Sequence, residues 1–494
     1  MSLISVNNLT FGYDGSLKNI FENVSFNIDT DWKLGLIGRN GKGKTTFLKL
    51  LLGKYEYQGA ISKNVEFDYF PFEVKNKERM AIEIVNEIAP NVEDWEIIRE
   101  LNLLNTDTEV LYRSFNLLSG GEQIKILLIS LFLKGNNFLL IDEPTNHLDI
   151  ETRNNLVNYL EKKKGFILVS HDRNFLDKVV NRIISINNTN IEIQQGNFSS
   201  WKENKNRQDN FEKIQNERLQ KDINRLEIAS KNCAKWSNEA EKTKNKKYNS
   251  ETTIDKGYIG HKADKMMKKS KVMEQRIEKA INEKTNLLKN IEVNDTLKII
   301  PLKSNKNPLI FAHNLQIKYS KETIFNPITF EVNNGDRVAL IGKNGIGKSS
   351  ILKLILGEEL QYNGEFMVAN DLKISYVSQS TEDLKGNLRT FAYDNKINES
   401  IFKAMLVKMG LSQFDFDTNI QDMSEGQKKK VLIAKSISEQ ANIYIWDEPL
   451  NYIDILTREQ IEDAILNYNP TIIFVEHDEK FIEKVATKII NLVK

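Results

Sequence analysis

A chain of 494 residues with 40% hydrophobic side chains can build a core for each of about three domains, and its 69 Lys and Arg nearly cancel its 68 Asp and Glu, so the net charge of +1 singles out no partner. The longest apolar runs, residues 138–141 and 472–475 among them, fall far short of the ~20 residues a membrane-spanning helix needs. The single Cys233 excludes an intrachain disulfide, and the opening MSLISVNNLTFGYDG lacks the charged and apolar segments of a secretory leader, so a reducing cytoplasm is the expected compartment.

A first domain is read over residues 1–198. Strand-like ISVNNLTFGY and VSFNI precede KLGLIG, an apolar strand that runs into the loop GRNGKGKTT and the helix-like FLKLLLG. This is the strand, glycine loop, helix order of a phosphate-binding loop. Gly38, Gly41 and Gly43 let backbone N–H groups converge on phosphate oxygens, Lys44 adds a cation, and Thr45 offers a hydroxyl to magnesium. Downstream, NLLSGGEQ is followed by FLLIDEPTNHLD, where a buried strand delivers the adjacent acids Asp142 and Glu143. Asp142 suits magnesium, and Glu143 can orient or deprotonate an attacking water. His171 ends another apolar strand in ILVSHD, where it is either structural or a hydrogen-bond donor to a terminal phosphate.

Residues 199–300 have a different character. From Trp201 to Ile300 there is no proline, and the only glycines are Gly257 and Gly260. Phe211, Ile214, Leu219, Ile223 and Leu226 recur at mostly helical steps, as do Met273, Ile277, Ile281, Leu288 and Ile291. Two long helices with a break over residues 246–260 would form a hairpin, each arm of about 40 residues reaching roughly 60 Å. The segment 201–300 carries 24 Lys and Arg against 16 Asp and Glu, concentrated beside the break in KTKNKKYNS and HKADKMMKKSK. With Trp236, Tyr248, Tyr258, Met266 and Met267 interleaved, such a tip suits phosphate contacts and base stacking on structured RNA. A solvated spacer fits the composition equally.

A third domain, residues 301–494, repeats the first at an almost constant offset. GKNGIGKSS after RVALI assigns the phosphate-loop roles to Gly342, Gly345, Gly347, Lys348 and Ser349. QDMSEGQ, IYIWDEPLNYID and IIFVEHD supply Ser424, the pair Asp447 and Glu448, and His477. An ordered motif series repeated in order is the signature of a duplicated ATPase, and the expected class is α/β: two tandem P-loop cassettes joined by a helical hairpin.

The order of phosphate loop, LSGGE-type signature, DEP acids and histidine resembles the ATP-binding cassette superfamily, over both halves of the chain. That resemblance implies head-to-tail packing, an intramolecular pseudo-dimer in which each ATP lies between one phosphate loop and the other signature. One site would join Lys44 and Glu143 to Ser424, Gly426 and Gln427, and the other Lys348 and Glu448 to Ser119, Gly120 and Gly121. It also places Asn40, Thr46, Asn344 and Ser350 at the nucleotide, and Tyr13 and Tyr319 at the adenine-stacking position, where either is otherwise an ordinary strand aromatic. ATP and Mg2+ are the implied ligands, with Thr45, Asp142, Ser349, Gln379 and Asp447 around the metal. Departures are visible. The first copy has Phe72 where the second has Gln379, Glu425 replaces a signature glycine, and LNYID replaces TNHLD, although Asp149 and Asp454 both match. Unequal turnover at the two sites is therefore expected.

Tandem cassettes joined by a charged helical linker of about a hundred residues resemble the ABC-F translation proteins over essentially the whole chain. The resemblance implies binding at the ribosomal exit-tRNA site, with the linker directed toward large-subunit rRNA, the P-site tRNA and the peptidyltransferase centre, and with no membrane or DNA partner. The short first cassette and phrases such as DTDWKLGLIGRNGKGKTT are most similar to the antibiotic-resistance branch, in particular the Lsa-type group. That group implies protection from lincosamides, streptogramin A and pleuromutilins. A housekeeping ABC-F factor and, further off, the ATPase subunit of a membrane transporter remain as alternatives.

Overall fold

The computed structural model describes residues 3–13, 19–135, 137–146, 148–187, 190–244, 265, 268, 271–273, 275–280, 296–319 and 322–494. The chain divides into two compact units: Met1–Trp201 together with Asn294–Lys494, and Lys202–Val293. The first unit holds two α/β cassettes.

In the first cassette, β1 (Leu3–Phe11), β2 (Phe21–Asp29) and β4 (Gln58–Ser62) form an antiparallel sheet ordered β2-β1-β4. A six-stranded sheet is ordered β5-β6-β7-β3-β8-β9, from β5 (Glu66–Phe70), β6 (Asn137–Asp142), β7 (Phe166–Val169), β3 (Lys33–Ile37), β8 (Arg182–Asn187) and β9 (Asn190–Gln195). All its pairs are parallel except β8 with β9. Parallel strands are covered on both faces, which is why β6 reads FLLI and β7 FILV without alternation. One apolar cluster fills the space between the two sheets around helix α1 (Lys44–Leu51). A second lies under α2 (Ala81–Ile88), α3 (Asp94–Leu103), α4 (Gly120–Leu133), α5 (Ile150–Leu160) and α6 (Arg173–Val179). The chain then enters α7 (Phe198–Lys244).

The second cassette repeats the plan. β10 (Ile310–Tyr319) pairs with β11 (Glu322–Thr323), β12 (Ile328–Val332) and β14 (Gln361–Val368), while β15 (Ile374–Val377), β16 (Ile443–Asp447), β17 (Ile472–Val475), β13 (Arg337–Ile341) and β18 (Lys488–Asn491) make a parallel sheet in the order β15-β16-β17-β13-β18. Its helices are α8 (Lys348–Ile355), α9 (Leu388–Asp394), α10 (Glu399–Lys408), α11 (Glu425–Ser438), α12 (Ile455–Tyr468) and α13 (Glu479–Val485). In each sheet the phosphate loop leaves the strand at which chain order reverses, β3 or β13, so it opens at the carboxyl edge where α/β sheets bind ligands.

The second unit is helical where it is described. α7 runs for 47 residues, longer than the expected arm, and at 1.5 Å per residue it spans ~70 Å. The expected apolar stripe is only partly the packed one: Phe211 and Ile214 are 61% and 50% exposed, whereas Ile223 is buried. Burial instead recurs at Lys205, Asp209, Glu212, Asn216, Leu219, Ile223 and Leu226, alternating steps of four and three residues. The seam is thus polar at its start, where Lys205 pairs with Asp209 at 3.1 Å, and apolar further along. Residues 245–264, with Met266 and Met267, lie outside the described residues, so the expected break and basic tip, including Tyr248 and Tyr258, carry no structural account here; nor does the side chain of Trp236.

Two glycines separate backbone strain from steric exclusion. Gly357 closes α8 at φ 90°, its N–H bonded to Leu354 O and the next N–H to Lys353 O, with open space where a Cβ would stand. Gly364 in β14 has φ 92°, and a Cβ there would fall 2.3 Å from the backbone oxygen of Asn314. Gly357→Ala should cost ~1 kcal/mol and Gly364→Ala at least ~3 kcal/mol. Equal losses in denaturant titrations would show that left-handed strain alone sets both.

Candidate active site

The two phosphate loops fold alike because their glycines sit where a side chain would be strained. Gly41 and Gly43 have φ of 79° and 93°, and Gly345 and Gly347 of 76° and 95°, bending the backbone so that its N–H groups turn inward before α1 and α8. Gly38 and Gly342 pack against the backbone of Ile186 and Leu492, which leaves no room for a Cβ at Gly342. Lys44 Nζ donates to Gly38 O at 2.7 Å and Asn40 Oδ1 at 3.1 Å; Lys348 Nζ donates to Gly342 O at 2.8 Å and Lys343 O at 3.0 Å. Burial lowers the affinity of both ammonium groups for their protons, and nearby acidic side chains oppose that shift. Beside the first loop, the Tyr13 hydroxyl shares a 2.8 Å hydrogen bond with Thr46 Oγ1 while its half-exposed ring stands edge-on to Phe11 and Tyr55. Tyr319 ends β10, and its side chain lies outside the described residues.

The acid pairs stand at the carboxyl ends of β6 and β16. Thr45 Oγ1 donates to Asp142 Oδ2 at 3.1 Å, and Ser349 hydrogen-bonds Asp447 in the same way. A hydroxyl paired with a carboxylate is a hard-oxygen set that fits magnesium, and Asp447 Oδ1 is buried with no hydrogen-bond partner. Among the described residues there is no group of three or more His, Cys, Asp or Glu that could hold a metal ion. Burial raises the pKa of both aspartates. Glu143 and Glu448 take left-handed backbone conformations, φ 50° and 46°, while their N–H groups donate to Val169 O and Val475 O. The strand ladder is thus kept and the side chains are swung out of it, a strained geometry typical of functional positions.

His171 Nε2 lies 3.4 Å from Glu143 Oε1, and His477 Nε2 lies 3.6 Å from Glu448 Oε1. Burial lowers the pKa of both imidazoles, aided by Lys44 and Arg458 at the first; at the second Glu448 opposes the shift while Lys348 and Arg153 aid it. Burial and then Asp142 push the Glu143 carboxyl up to about 8.

The cassettes meet across these loops. Asn40 Nδ2 donates to Tyr452 O at 2.7 Å, and Gly426 abuts the same pair so closely that a Cβ would lie 2.9 Å from Asn40 Nδ2. At the other phosphate loop, Asn344 N approaches Asp149 Oδ2 at 3.5 Å and Lys343 pairs with Glu151 at 2.8 Å. Ser119 and Ser424 each cap their signature helix, through boxes closed by Glu122 and Gln427; Gly120 opens α4, and Gly121 packs on Thr152 and Leu148 of its own cassette.

The two sites differ more than their motifs suggest. In the second, Gln379 Nε2 and Asn451 Nδ2 both donate to Glu448 Oε2, at 3.0 and 2.7 Å, so Gln379 is engaged by the glutamate rather than by Asp447. Buried Lys429 donates to Ser378 O and Glu448 O, and Glu425 accepts from Thr381. In the first cassette the matching positions are Phe72 and Ile124, both packed on the apolar core. Sequence reasoning missed Tyr69, whose hydroxyl donates to Asp142 Oδ2 at 2.9 Å, together with Lys429, Arg153 and Glu476. Tyr69 stands one strand away in no motif, whereas the repeat held a signal for Glu476, which replaces Ser170, for Lys429, which replaces Ile124, and for Arg153, which recurs as Arg458.

A family model described as "ABC transporter" matches residues 21–146 and 325–451. "ATP-binding protein Uup" of Buchnera aphidicola subsp. Acyrthosiphon pisum is 30% identical, over 99% of this chain and 80% of that protein. "Ribosome protection protein VmlR" of Bacillus subtilis is 28% identical, over 96% of this chain and 84% of its own length. Among solved structures, the archaeal ribosome recycling factor aABCE1, in complex with the ribosomal stalk protein aP1, superposes with a TM-score of 0.62 at 18% identity, over 98% of this chain and 87% of that one, a likeness of fold.

Glu476 yields a pH test. Its carboxyl accepts from Leu450 N at 2.7 Å and His477 N at 3.2 Å, yet burial dominates and raises it from 4.5 to about 7. The folded chain holds this proton longer than the unfolded chain, so the stabilisation is complete below the unfolded value and is lost as pH rises to about 7. Glu476→Gln removes the titration. Its stability relative to the parent should improve by up to ~3 kcal/mol between pH 5 and 8; parallel pH profiles would place the carboxyl at its ordinary value.

Proposed function

We propose, from the premise that this chain belongs to the ABC transporter family and that its cassettes are ATPases, that it is an ABC-F protein acting on the ribosome in the cytoplasm. With ATP bound it occupies the exit-tRNA site, the helical unit reaches toward large-subunit rRNA and the P-site tRNA, and the peptidyltransferase centre is protected from lincosamides, streptogramin A and pleuromutilins. Hydrolysis allows release. The observation that carries this reading is that similarity to a protein named for ribosome protection runs through both cassettes and the helical unit between them. In support, none of the described helices is long and apolar enough to cross a membrane.

In this reading the phosphates sit on the N–H groups of Gly38–Thr46 and Gly342–Ser350, with Lys44 and Lys348 beside them. Thr45 with Asp142, and Ser349 with Asp447 and Gln379, would hold magnesium, which neutralises phosphate charge. Tyr13 and Tyr319 stack on adenine. Glu143 and Glu448 orient or deprotonate water, and neutral His171 and His477 donate to the terminal phosphate. Ser424, Gly426 and Gln427 close over the first site and Ser119, Gly120 and Gly121 over the second. The pseudo-dimer reading rests on the contacts of Asn40 with Tyr452 and of Asp149 with Asn344.

Glu143→Gln with Glu448→Gln keeps the hydrogen-bonding shape and removes the base. The double variant should lose ATP turnover by at least about a hundredfold and accumulate on ribosomes in ATP during sedimentation. A folded, ATP-binding double variant that stays off ribosomes would refute the cycle. In a drug-sensitive host the parent should raise resistance to the three drug classes, and deletion of residues 249–258 should abolish that while ATPase activity remains. Ribosome binding without any change in susceptibility would favour a housekeeping translation factor.

A further inference from the structure

The start of α5 in the first cassette, with its cap Asp149, reaches toward the second cassette with three of five consecutive residues. Asp149 approaches Asn344 N and Glu151 pairs with Lys343, both on the second phosphate loop. Arg153 goes to the histidine loop instead. Its guanidinium is a buried three-way fork: Nε donates to Leu148 O at 3.0 Å, and NH1 donates both to Asp172 Oδ2 at 3.1 Å and, across the cassette boundary, to His477 O at 3.1 Å. Leu148 belongs to the loop after the DEP acids, and Asp172 follows His171. One planar cation therefore touches its own acid loop, its own histidine loop and the other cassette's histidine.

We propose that Arg153 is a positioning residue acting in trans: it fixes the backbone of His477 and so aims that imidazole at Glu448 of the second ATP site. Two features argue that this is more than packing. A guanidinium has rigid donor geometry, so its hydrogen bond to a carbonyl sets the position of the residue bearing that carbonyl. Asp172 accepts from Asn174 N and Phe175 N as the cap of α6, so the anchor on the first cassette is tied to the start of that helix. Arg173 and Asn174 also cross the boundary, to Glu462 and Glu479, but Arg153 is the side chain that bonds the backbone of His477 itself. Arg458 occupies the repeat position and is held alike within its own cassette, by Ile453 O, Leu450 O and Asp478.

The proposal rests on the reading that Glu448 and His477 serve hydrolysis at the second site. The test isolates that site with Glu143→Gln and measures ATP turnover against ATP concentration. Arg153→Met in that background should lower kcat about tenfold with KM changed less than about twofold, since the lost interaction concerns positioning and not nucleotide affinity. Arg153→Lys, which keeps the cation but not the fork, should show a smaller loss of the same kind and serves if the methionine variant folds poorly. In the Glu448→Gln background, where the first site alone works, Arg153→Met should have the lesser effect, whereas general destabilisation would reduce both alike. An unchanged kcat, a raised KM at constant kcat, or equal losses in both backgrounds would overturn the role of Arg153. Undiminished turnover in the Glu143→Gln, Glu448→Gln control would overturn the assignment of the site itself, and the proposal with it.

Discussion

Two adjacent carboxylates at the end of a fully buried parallel strand impose the constraint from which each site is built. Removing an ionised carboxyl from water is costly unless cations or hydrogen-bond donors surround it. Around Asp142 and Glu143 those groups are Lys44, Thr45, Tyr69 and the N–H of His171, but also Arg458 of the second cassette. Burial lowers the proton affinity of Lys44 in turn, and the largest opposing influence is Asp454 of the second cassette, ahead of Glu143 and Asp142. The electrostatics of the first site are therefore completed by the partner cassette. Separating the cassettes would remove these partner charges and readmit water, so nucleotide chemistry and cassette apposition are one problem.

The second site solves the same problem with different groups. Lys429 is buried near Glu476, Glu448 and Asp447, and its ammonium binds two carbonyls rather than a carboxylate. It joins the segment bearing Gln379 to the backbone of Glu448, so a displacement of one is felt by the other. The first cassette joins the matching segments by apolar packing of Phe72 and Ile124, which resists water but fixes no polar geometry. The inequality of the sites is thus a difference in how rigidly the glutamate is held, in addition to the loss of one glutamine.

Much of this was legible in the sequence because phosphate loops and strand-end acids are local chemistry. The glycines of GRNGKGKTT and the apolar run before DEP each specify a conformation within about ten residues, and the repeat located both copies. What the sequence hid was spatial. Tyr69 meets Asp142 only because β5 and β6 are neighbours in register, and Arg153 meets His477 only when two cassettes are docked. The helical unit misled for another reason. Phe211 and Ile214 are apolar and suitably spaced, yet packing follows a 3.5-residue seam that begins with Lys205, Asp209 and Glu212. Hydrophobicity alone cannot find a seam whose first contacts are charged.

The residues after the DEP acids show how one side chain can serve fold and coupling together. Asp149 caps α5 by accepting from Thr152 N, and its second oxygen approaches Asn344 N of the other phosphate loop. Burial opposes its ionisation, but those donors hold the carboxyl below its ordinary range. Asp454 caps α12 through Thr457 N in the same way, yet its second oxygen is taken by Lys430 of its own cassette at 2.8 Å. The cross-boundary contact on that side passes instead to the backbone carbonyl of Tyr452, which meets Asn40. A carboxylate contact is charge-assisted and can strengthen or weaken with the charge placed in the phosphate loop, whereas a carbonyl contact reads position alone. The direct hydrogen-bond contacts at the two phosphate loops therefore differ in kind, a carboxylate at one and a carbonyl at the other, although charges of the second cassette act on the first site as well.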